Sequence, residues 1–183
     1  MKTNHYDVFN TALNTIRKTV SSSDEYTTKL LFANVVTVFE AYLQSIALSL
    51  MQADKQIIQQ VASSKKFKNH TIQLHKALNW DLSKYVISLV NKIVFHNLSE
   101  VEPLFREAFD IQIIIKDEIL KIIEIRHDVI HRNGYSKKGD PCVINKAMVI
   151  AATNEFEQFV NDINEKFIVI QDKVLIWKHR IKQ

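Results

Sequence analysis

The segment LLFANVVTVFEAYLQSIALSLMQA, residues 30–53, decides the fold class of this chain. It is apolar or neutral throughout except for one charge, Glu40. A carboxylate at the centre of a membrane-spanning helix costs about 2.5 to 3.5 kcal/mol, and no basic flank orients this segment across a bilayer. The segment therefore predicts a helix buried at the centre of a soluble domain.

The composition of the rest of the chain favours an all-α fold. The 183 residues are 46% hydrophobic and 24% charged, the balance of one globular domain with a sizeable core. They include only 2 glycines and 2 prolines, whereas turn-rich β architectures depend on both residue types. We therefore predict a single all-α domain, a helical bundle, over residues 1–183.

Cysteine usage and the first residues bear on the cellular setting. The chain has one cysteine, Cys142, so an intramolecular disulfide and a cysteine-based zinc cluster are excluded. Met1 leads into the polar residues Lys2 and Thr3 with no apolar signal region. We expect a reducing, cytoplasmic setting and no membrane partner.

Hydrophobic periodicity predicts further helices separated by polar breaks. Ser22 and Glu25 form a capping-box pattern before the central helix, and Gly134 suits a left-handed C-cap. A short helix starts at Ser99, with Pro103 in its first turn. The other predicted helices cover about residues 8–20, 71–79, 83–94, 115–133 and 145–178, with a break near Phe167 as an open alternative for the last.

Two charges occupy apolar helix faces. On an ideal helix Arg126 lies within about 60° of six aliphatic residues. These are Ile115, Ile119, Ile122, Ile123, Val129 and Ile130. Glu40 is flanked in the same way on the central helix, and an unpaired buried charge is several kcal/mol unfavourable. We therefore predict that Glu40 and Arg126 meet between the two helices, either as a structural ion pair or as part of a functional site.

The helix over residues 115–133 also carries a titratable face. His127 and His131 are four residues apart, with Asp128 between them. A metal site is one interpretation, but EIRHDVIH lacks the glutamate that follows the first histidine in zinc hydrolase helices. A second is phosphodiester cleavage, since imidazole moves protons near neutral pH and guanidinium stabilises phosphate charge. A surface histidine pair without a chemical role is the third.

Basic residues are unevenly distributed along the chain. The net charge is +4, which allows a polyanionic partner. No acidic residue occurs from Lys55 through Trp80, a stretch that contains the cluster Lys65, Lys66 and Lys68. A second basic group contains Arg126, His127, His131, Arg132, Lys137 and Lys138. The alternative is that these are solvated side chains around loops.

The hexapeptide RHDVIH, residues 126–131, resembles the motif of the HEPN superfamily, which has an arginine, a polar residue, about three further residues and a histidine near a helix end. The resemblance extends over IEIRHDVIHRNGYSKKGD, residues 123–140, and over VVTVFEAYL, residues 35–43, which contains Glu40. These stretches are similar to the branch found in small bacterial proteins associated with anti-phage defence or toxin systems.

The resemblance implies a helical bundle that dimerises so that both motifs line one cleft, and in many members metal-independent endoribonuclease activity without a cofactor. Arg126 and His131 would be the catalytic pair, and His127 the polar motif residue. Asp128 and Asn133 would be supporting residues. Apart from the resemblance, the predicted pair with Arg126 makes Glu40 a supporting residue, and the two basic groups predict RNA contacts at Arg132, Lys137, Lys138, Lys65, Lys66 and Lys68.

The resemblance also implies partners for the chain. They are RNA, a second copy of the chain, and an antitoxin or another protein of a defence system. The superfamily contains members that do not cut RNA, so the alternative is a noncatalytic module that binds RNA, a nucleotide or a protein.

Overall fold

The computed structural model describes residues 3–181, with side chains described as far as residue 174. This part of the chain folds into eight helices and contains no β-strand, which confirms the all-α prediction. The helices are α1 (Asn4–Val20), α2 (Glu25–Ala53), α3 (Lys55–Ser63), α4 (Leu74–Asn79), α5 (Leu82–Val90), α6 (Leu98–Phe109), α7 (Asp117–His131) and α8 (Lys146–Ile181).

The described residues form two compact units. The first unit contains the described residues up to Tyr42 together with Ile114–Asn164. The second unit contains Leu43–Ile113 and the described residues from Glu165 onward. The boundary between the units falls within α2 and within α8.

Aromatic side chains build the core of the first unit. The Phe39 ring on α2 lies 4.8 Å from the Phe156 ring and 5.5 Å from the Phe159 ring on α8. Phe9 on α1 lies 5.6 Å from Tyr42 on α2. Each fully buried phenylalanine contributes roughly 1.5 to 3 kcal/mol, so these contacts stabilise the part of α2 that carries Glu40.

The length and composition of α2 would allow it to cross a membrane. Its mean hydropathy reaches 1.5 over the most apolar 18-residue window, but half of that window is buried inside the protein. Val36, Phe39 and Leu43 of α2 are fully buried, in agreement with the predicted buried helix.

The second unit has an apolar core of its own, which includes residues of α3, α5 and α6. Asp54 caps α3 by accepting a hydrogen bond from the Gln56 backbone N–H at 2.8 Å, and α3 packs against α5 and α6. Phe105 and Phe109 of α6 meet edge to face at 5.1 Å. By contrast, no residue between 65 and 89 is buried.

Several local predictions are wrong. Asp24, rather than Ser22, caps α2, because its Oδ1 accepts the Thr27 N–H at 2.7 Å and the helix begins at Glu25. Pro103 is the sixth residue of α6 and so lies beyond its first turn. α8 continues through Phe167 without a break, and the periodicity did not predict α3.

Candidate functional site

The candidate site is built on the C-terminal half of α7 and the turn that follows it. The Asp128 carbonyl accepts the backbone N–H groups of Arg132 at 3.0 Å and Gly134 at 3.1 Å, which closes the helix. Gly134 has φ 82, as expected for a left-handed cap, and Asn133 also has positive φ, at 53. α7 therefore ends at His131, two residues before the predicted end. His131 is thus the last helical residue before the turn.

A short loop follows the turn and carries the predicted RNA-binding lysines Lys137 and Lys138. Tyr135 and Pro141 form an isolated antiparallel bridge that closes the loop. The Lys137 Nζ lies 3.5 Å from Glu124 Oε1 on α7. Both side chains of this pair are about two-thirds exposed, so the pair adds at most about 1 kcal/mol and leaves the lysine accessible.

Glu40 and Arg126 meet as predicted. The Glu40 Oε2 lies 3.8 Å from Arg126 Nη2, and the two side chains are 22% and 14% exposed. This separation exceeds hydrogen-bond distance, so the contact is a charge pair only. The Arg126 Nε is buried and has no hydrogen-bond partner. Glu40 thus compensates the charge of Arg126 without using all its donors.

The apolar residues around Arg126 on α7 are more exposed to solvent than the sequence predicted. Ile119 is fully buried, but Ile130, which was predicted on the same face, is 45% exposed. Ile130 instead lines a surface groove with Leu30 and Thr37 of α2. The buried face of α7 therefore opens toward solvent near its C-terminal end.

Arg132 links His127 and Asp128 in one network. Its Nη1 donates to His127 Nδ1 at 2.8 Å and also to Asp128 Oδ1, whose side chain is almost fully buried. A guanidinium only donates, so Nδ1 must accept and neutral His127 carries its proton on Nε2. Asp128 therefore holds Arg132 in this network, while a supporting role of Asp128 in catalysis and a role of Arg132 in RNA binding stay predictions.

His127 has an electrostatic environment that disfavours protonation. Loss of solvation, the positive charge of Arg132 and the neighbouring His131 all lower the pKa of His127 below its ordinary value. The His127 and His131 rings lie 4.7 Å apart, centroid to centroid. Near neutral pH, His127 is therefore mainly a neutral imidazole, and it lies directly beside His131.

His131 is exposed and lines a cleft of about 430 Å³. Tyr26 and Lys29 of α2 form the opposite wall, and Asn133 and Gly134 form the end near the turn. Tyr26 is 71% exposed, and Lys29 Nζ pairs with Glu25 at 2.7 Å. The cleft thus combines an exposed imidazole, an aromatic ring and an ammonium group within the first unit.

The sequence did not single out Tyr26 and Lys29. Their spacing of three residues places them on one face of α2, which was the only available signal. Only the packing of α2 against α7 shows that this face meets His131. These are the two site residues that sequence analysis missed.

Other predicted site residues are not brought together. Arg126 faces Glu40 and does not line the His131 cleft, in keeping with the angle of about 140° between the two positions on a helix. Lys65, Lys66 and Lys68 belong to the second unit. Lys66 pairs with Glu100, and Lys65 Nζ lies 3.9 Å from Glu107.

The chemistry of the described residues favours proton transfer. No group of three or more histidine, cysteine, aspartate or glutamate side chains that could hold a metal ion occurs in the described part of the chain. Burial raises the pKa of the Cys142 thiol, which makes it a poor nucleophile at neutral pH. The histidine pair near the cleft can take up and release protons near neutral pH.

No family model, curated protein or solved structure matches the chain. Function is therefore inferred from the residues and geometry of the cleft, together with the resemblance of residues 123–140 to the HEPN motif.

Proposed function

We propose that the protein is a metal-independent endoribonuclease that acts in anti-phage defence or in a toxin–antitoxin system. The observation that carries the proposal is the His131 cleft, in which an exposed imidazole stands beside the predominantly neutral His127 and opposite Lys29 and Tyr26. Such a cleft offers a proton-transfer group, a cation and an aromatic surface to a single-stranded nucleic acid.

The proposed reaction is an internal transesterification. His131 takes the proton of the RNA 2'-hydroxyl, and O2' attacks the adjacent phosphorus. The bond between phosphorus and O5' breaks, and an imidazolium returns a proton to the leaving O5'. The products are a 2',3'-cyclic phosphate and a 5'-hydroxyl, and DNA is inert because it lacks the 2'-hydroxyl.

Arg126 is assigned to the charge that develops on the phosphorane. Its guanidinium can contact two phosphate oxygens at once, and its side chain is 14% exposed. Because Arg126 lies outside the His131 cleft of its own chain, we propose that two copies of the protein bring Arg126 and His131 together in one site.

The α2 wall of the cleft is assigned to substrate binding. Lys29 supplies a positive charge for a phosphate, and the exposed Tyr26 ring supplies a surface on which a base can stack. Base stacking on an aromatic side chain is worth about 1 to 3 kcal/mol and tolerates any base. This wall would hold the strand against His131.

The decisive experiment is cleavage of RNA by purified protein in EDTA, with His131→Ala as the test variant. Loss of a general acid–base typically lowers the rate about 10² to 10⁴-fold. His75→Ala, which removes an exposed histidine of α4, is the matched control and should cleave at the parental rate. Cleavage that persists in His131→Ala, or that needs a divalent metal, contradicts the proposal.

A second candidate is a noncatalytic module that binds RNA, a nucleotide or a protein partner through the same cleft. The position of Arg126 outside the cleft favours this alternative, because a single chain then lacks the second member of the pair. The same cleavage assay separates the two functions. A noncatalytic module would leave RNA intact both in EDTA and with a divalent metal, even if it bound the RNA.

A further inference from the structure

Residues 65–89 of the second unit leave large apolar side chains in solvent. None of the six residues of α4 is buried. Leu74 and Leu78 are 75% and 77% exposed, and Trp80 and Leu82 are 45% and 49% exposed. Single exposed leucines are ordinary, but four large apolar side chains within nine residues indicate an interaction surface.

The solvent-accessible apolar side chains of this segment form two groups, Leu74 with Leu78 on α4, and Trp80 with Leu82 and Tyr85 after it. Leu74 and Leu78 are four residues apart on α4 and therefore share a face. The Trp80 ring lies 5.3 Å from the Tyr85 ring. Tyr85 and Leu82 line an open, mainly apolar pocket of about 250 Å³. We call these residues the α4 patch: Leu74, Leu78, Trp80, Leu82 and Tyr85.

Cations border the α4 patch. Lys76 Nζ lies 5.4 Å above the Trp80 ring, and Lys68 lines the pocket beside Leu82. Neither lysine forms an ion pair among the described side chains, in contrast to Lys66, which pairs with Glu100. The patch is thus apolar with two lysines at its border, and the one carboxylate between residues 65 and 89, Asp81, lies 3.9 Å from Lys84 Nζ.

We propose that the α4 patch docks on the surface of an anionic lipid bilayer. Leucine and tryptophan side chains enter the boundary between headgroups and acyl chains, while lysines remain at the level of anionic headgroups. Leu74 and Leu78 favour this partner over RNA, because aliphatic side chains cannot stack on bases. This proposal departs from the sequence-based expectation of no membrane partner, because the sequence did not show that these apolar side chains are exposed.

The test is sedimentation of the full chain with vesicles of phosphatidylcholine alone or mixed with phosphatidylglycerol. We expect binding to the mixed vesicles only, weakened by salt. Leu74→Ser with Leu78→Ser should weaken binding about tenfold or more, since both side chains would lose their apolar burial. Lys68→Ala with Lys76→Ala should weaken it by about fivefold for each lysine.

The matched control is Val8→Ser with Val143→Ser, which removes two apolar side chains that are 63% and 75% exposed outside the patch. This control should bind vesicles like the parent. A direct readout is Trp80 fluorescence in a Trp177→Phe background, where Trp80 is the sole tryptophan of the chain. Its emission should shift to shorter wavelength on binding, because the indole enters a less polar environment.

Three outcomes overturn the proposal. The first is absence of binding to mixed vesicles at low salt. The second is equal binding by the leucine variant and the parent, with unchanged Trp80 emission. The third is that the leucine variant loses RNA affinity rather than vesicle affinity, which would assign the patch to nucleic acid. None of these outcomes depends on whether the His131 cleft cuts RNA.

Discussion

The Arg126 side chain lies in the contact between α2 and α7. Its charge is compensated there, but not all of its hydrogen-bond donors have partners. Its side chain is 14% exposed, its nearest carboxylate oxygen is 3.8 Å away, and its Nε has no partner. Packing that surrounds a planar guanidinium in this way fixes its orientation, which a flexible ammonium would not reproduce. The shape of the guanidinium, as well as its charge, should therefore matter at this position.

We expect Arg126→Lys to lower RNA cleavage by about 10²-fold or more, although the charge is kept, because lysine cannot make a planar two-pronged phosphate contact. The measurement is kcat from single-turnover cleavage. Arg106→Lys is the matched control, since Arg106 forms an exposed pair with Glu102 at 3.0 Å in the second unit. A lysine variant as fast as the parent would show that only charge is needed.

His127 gives the stability of the protein a pH dependence. Its pKa is lowered in the folded state, chiefly by lost solvation and then by Arg132, whereas the unfolded chain titrates near the ordinary value of 6.5. The unfolded state thus binds the proton more readily. Stability is fully present above about pH 6.5 and is lost as the pH falls through the folded pKa. Burial lowers the pKa of His5 as well and acts in the same direction.

We expect the melting temperature to fall as the pH is lowered from about 7.5 to about 5.5, and His127→Gln to reduce that fall. Thermal unfolding by circular dichroism at several pH values measures the effect. His75→Gln, at an exposed histidine of α4, should leave the slope unchanged. If His127→Gln and the parent show the same slope, His127 does not contribute to it.

Some of the side-chain contacts in the candidate site could be predicted from the sequence, and others could not. The meeting of Glu40 and Arg126 could be predicted because each charge lies on an apolar face and needs a partner. The separation of 3.8 Å could not, because it depends on how far apart the two helices pack. Tyr26 and Lys29 were missed because an exposed tyrosine and lysine have no distinctive pattern until the cleft exists.

Among the elements, α2 and α7 form the contact that holds the site. Glu40 on α2 neutralises Arg126 on α7, and the N-terminal end of α2 meets His131 across the cleft. Removing the carboxylate leaves a mostly buried guanidinium without its counter-charge. A tight buried pair that is broken costs about 3 to 5 kcal/mol, and the looser geometry here lowers the expected cost.

We expect Glu40→Ala to lower the free energy of unfolding by about 1 to 3 kcal/mol and Glu40→Gln to lower it less, because glutamine keeps the volume and packing of the side chain. Urea unfolding measures both. The control is Glu25→Ala, which removes an exposed pair with Lys29 and should change the stability little, because solvent screens the pair. Parental stability and parental cleavage in both Glu40 variants would mean that the pair has neither role.

Element boundaries were predictable only where apolar periodicity was strong. The central helix and α7 were placed to within a few residues, since their apolar stripes are long. α3 was missed because only Asp54, its N-cap, separates it from α2, so no polar break marks it as a separate helix. The exposure of Ile130 could not be predicted, because a helical wheel shows direction around an axis but not where neighbouring helices end.

At the scale of the whole molecule, the division into two units has no counterpart in the sequence. A domain boundary usually falls in a polar, glycine-rich or proline-rich linker. Here the boundary lies within two continuous helices, α2 and α8, so no change in composition marks it. The single domain over residues 1–183 therefore stays a prediction, whereas the all-helical architecture is established.

The proposed assembly of two copies follows from the placement of Arg126 and His131. One chain presents His131 in a cleft and Arg126 elsewhere on the same helix, so a second copy is the simplest source of the missing partner. Most soluble oligomers are symmetric dimers, and a twofold axis would place the same end of α7 from both copies together. We expect light scattering to show a dimer at tens of micromolar.

The sharpest whole-molecule prediction is complementation between two inactive variants. Arg126→Lys and His131→Ala should each fail alone, but after unfolding and refolding together, half of the dimers contain one copy of each. One of the two composite sites in such a dimer then has a native arginine and a native histidine, so mixing should restore up to about a quarter of parental activity. Mixing folded dimers without exchange is the control and should restore nothing. If refolded mixtures form dimers yet remain inactive, arginine and histidine from different copies do not share a site, and the second copy has another role.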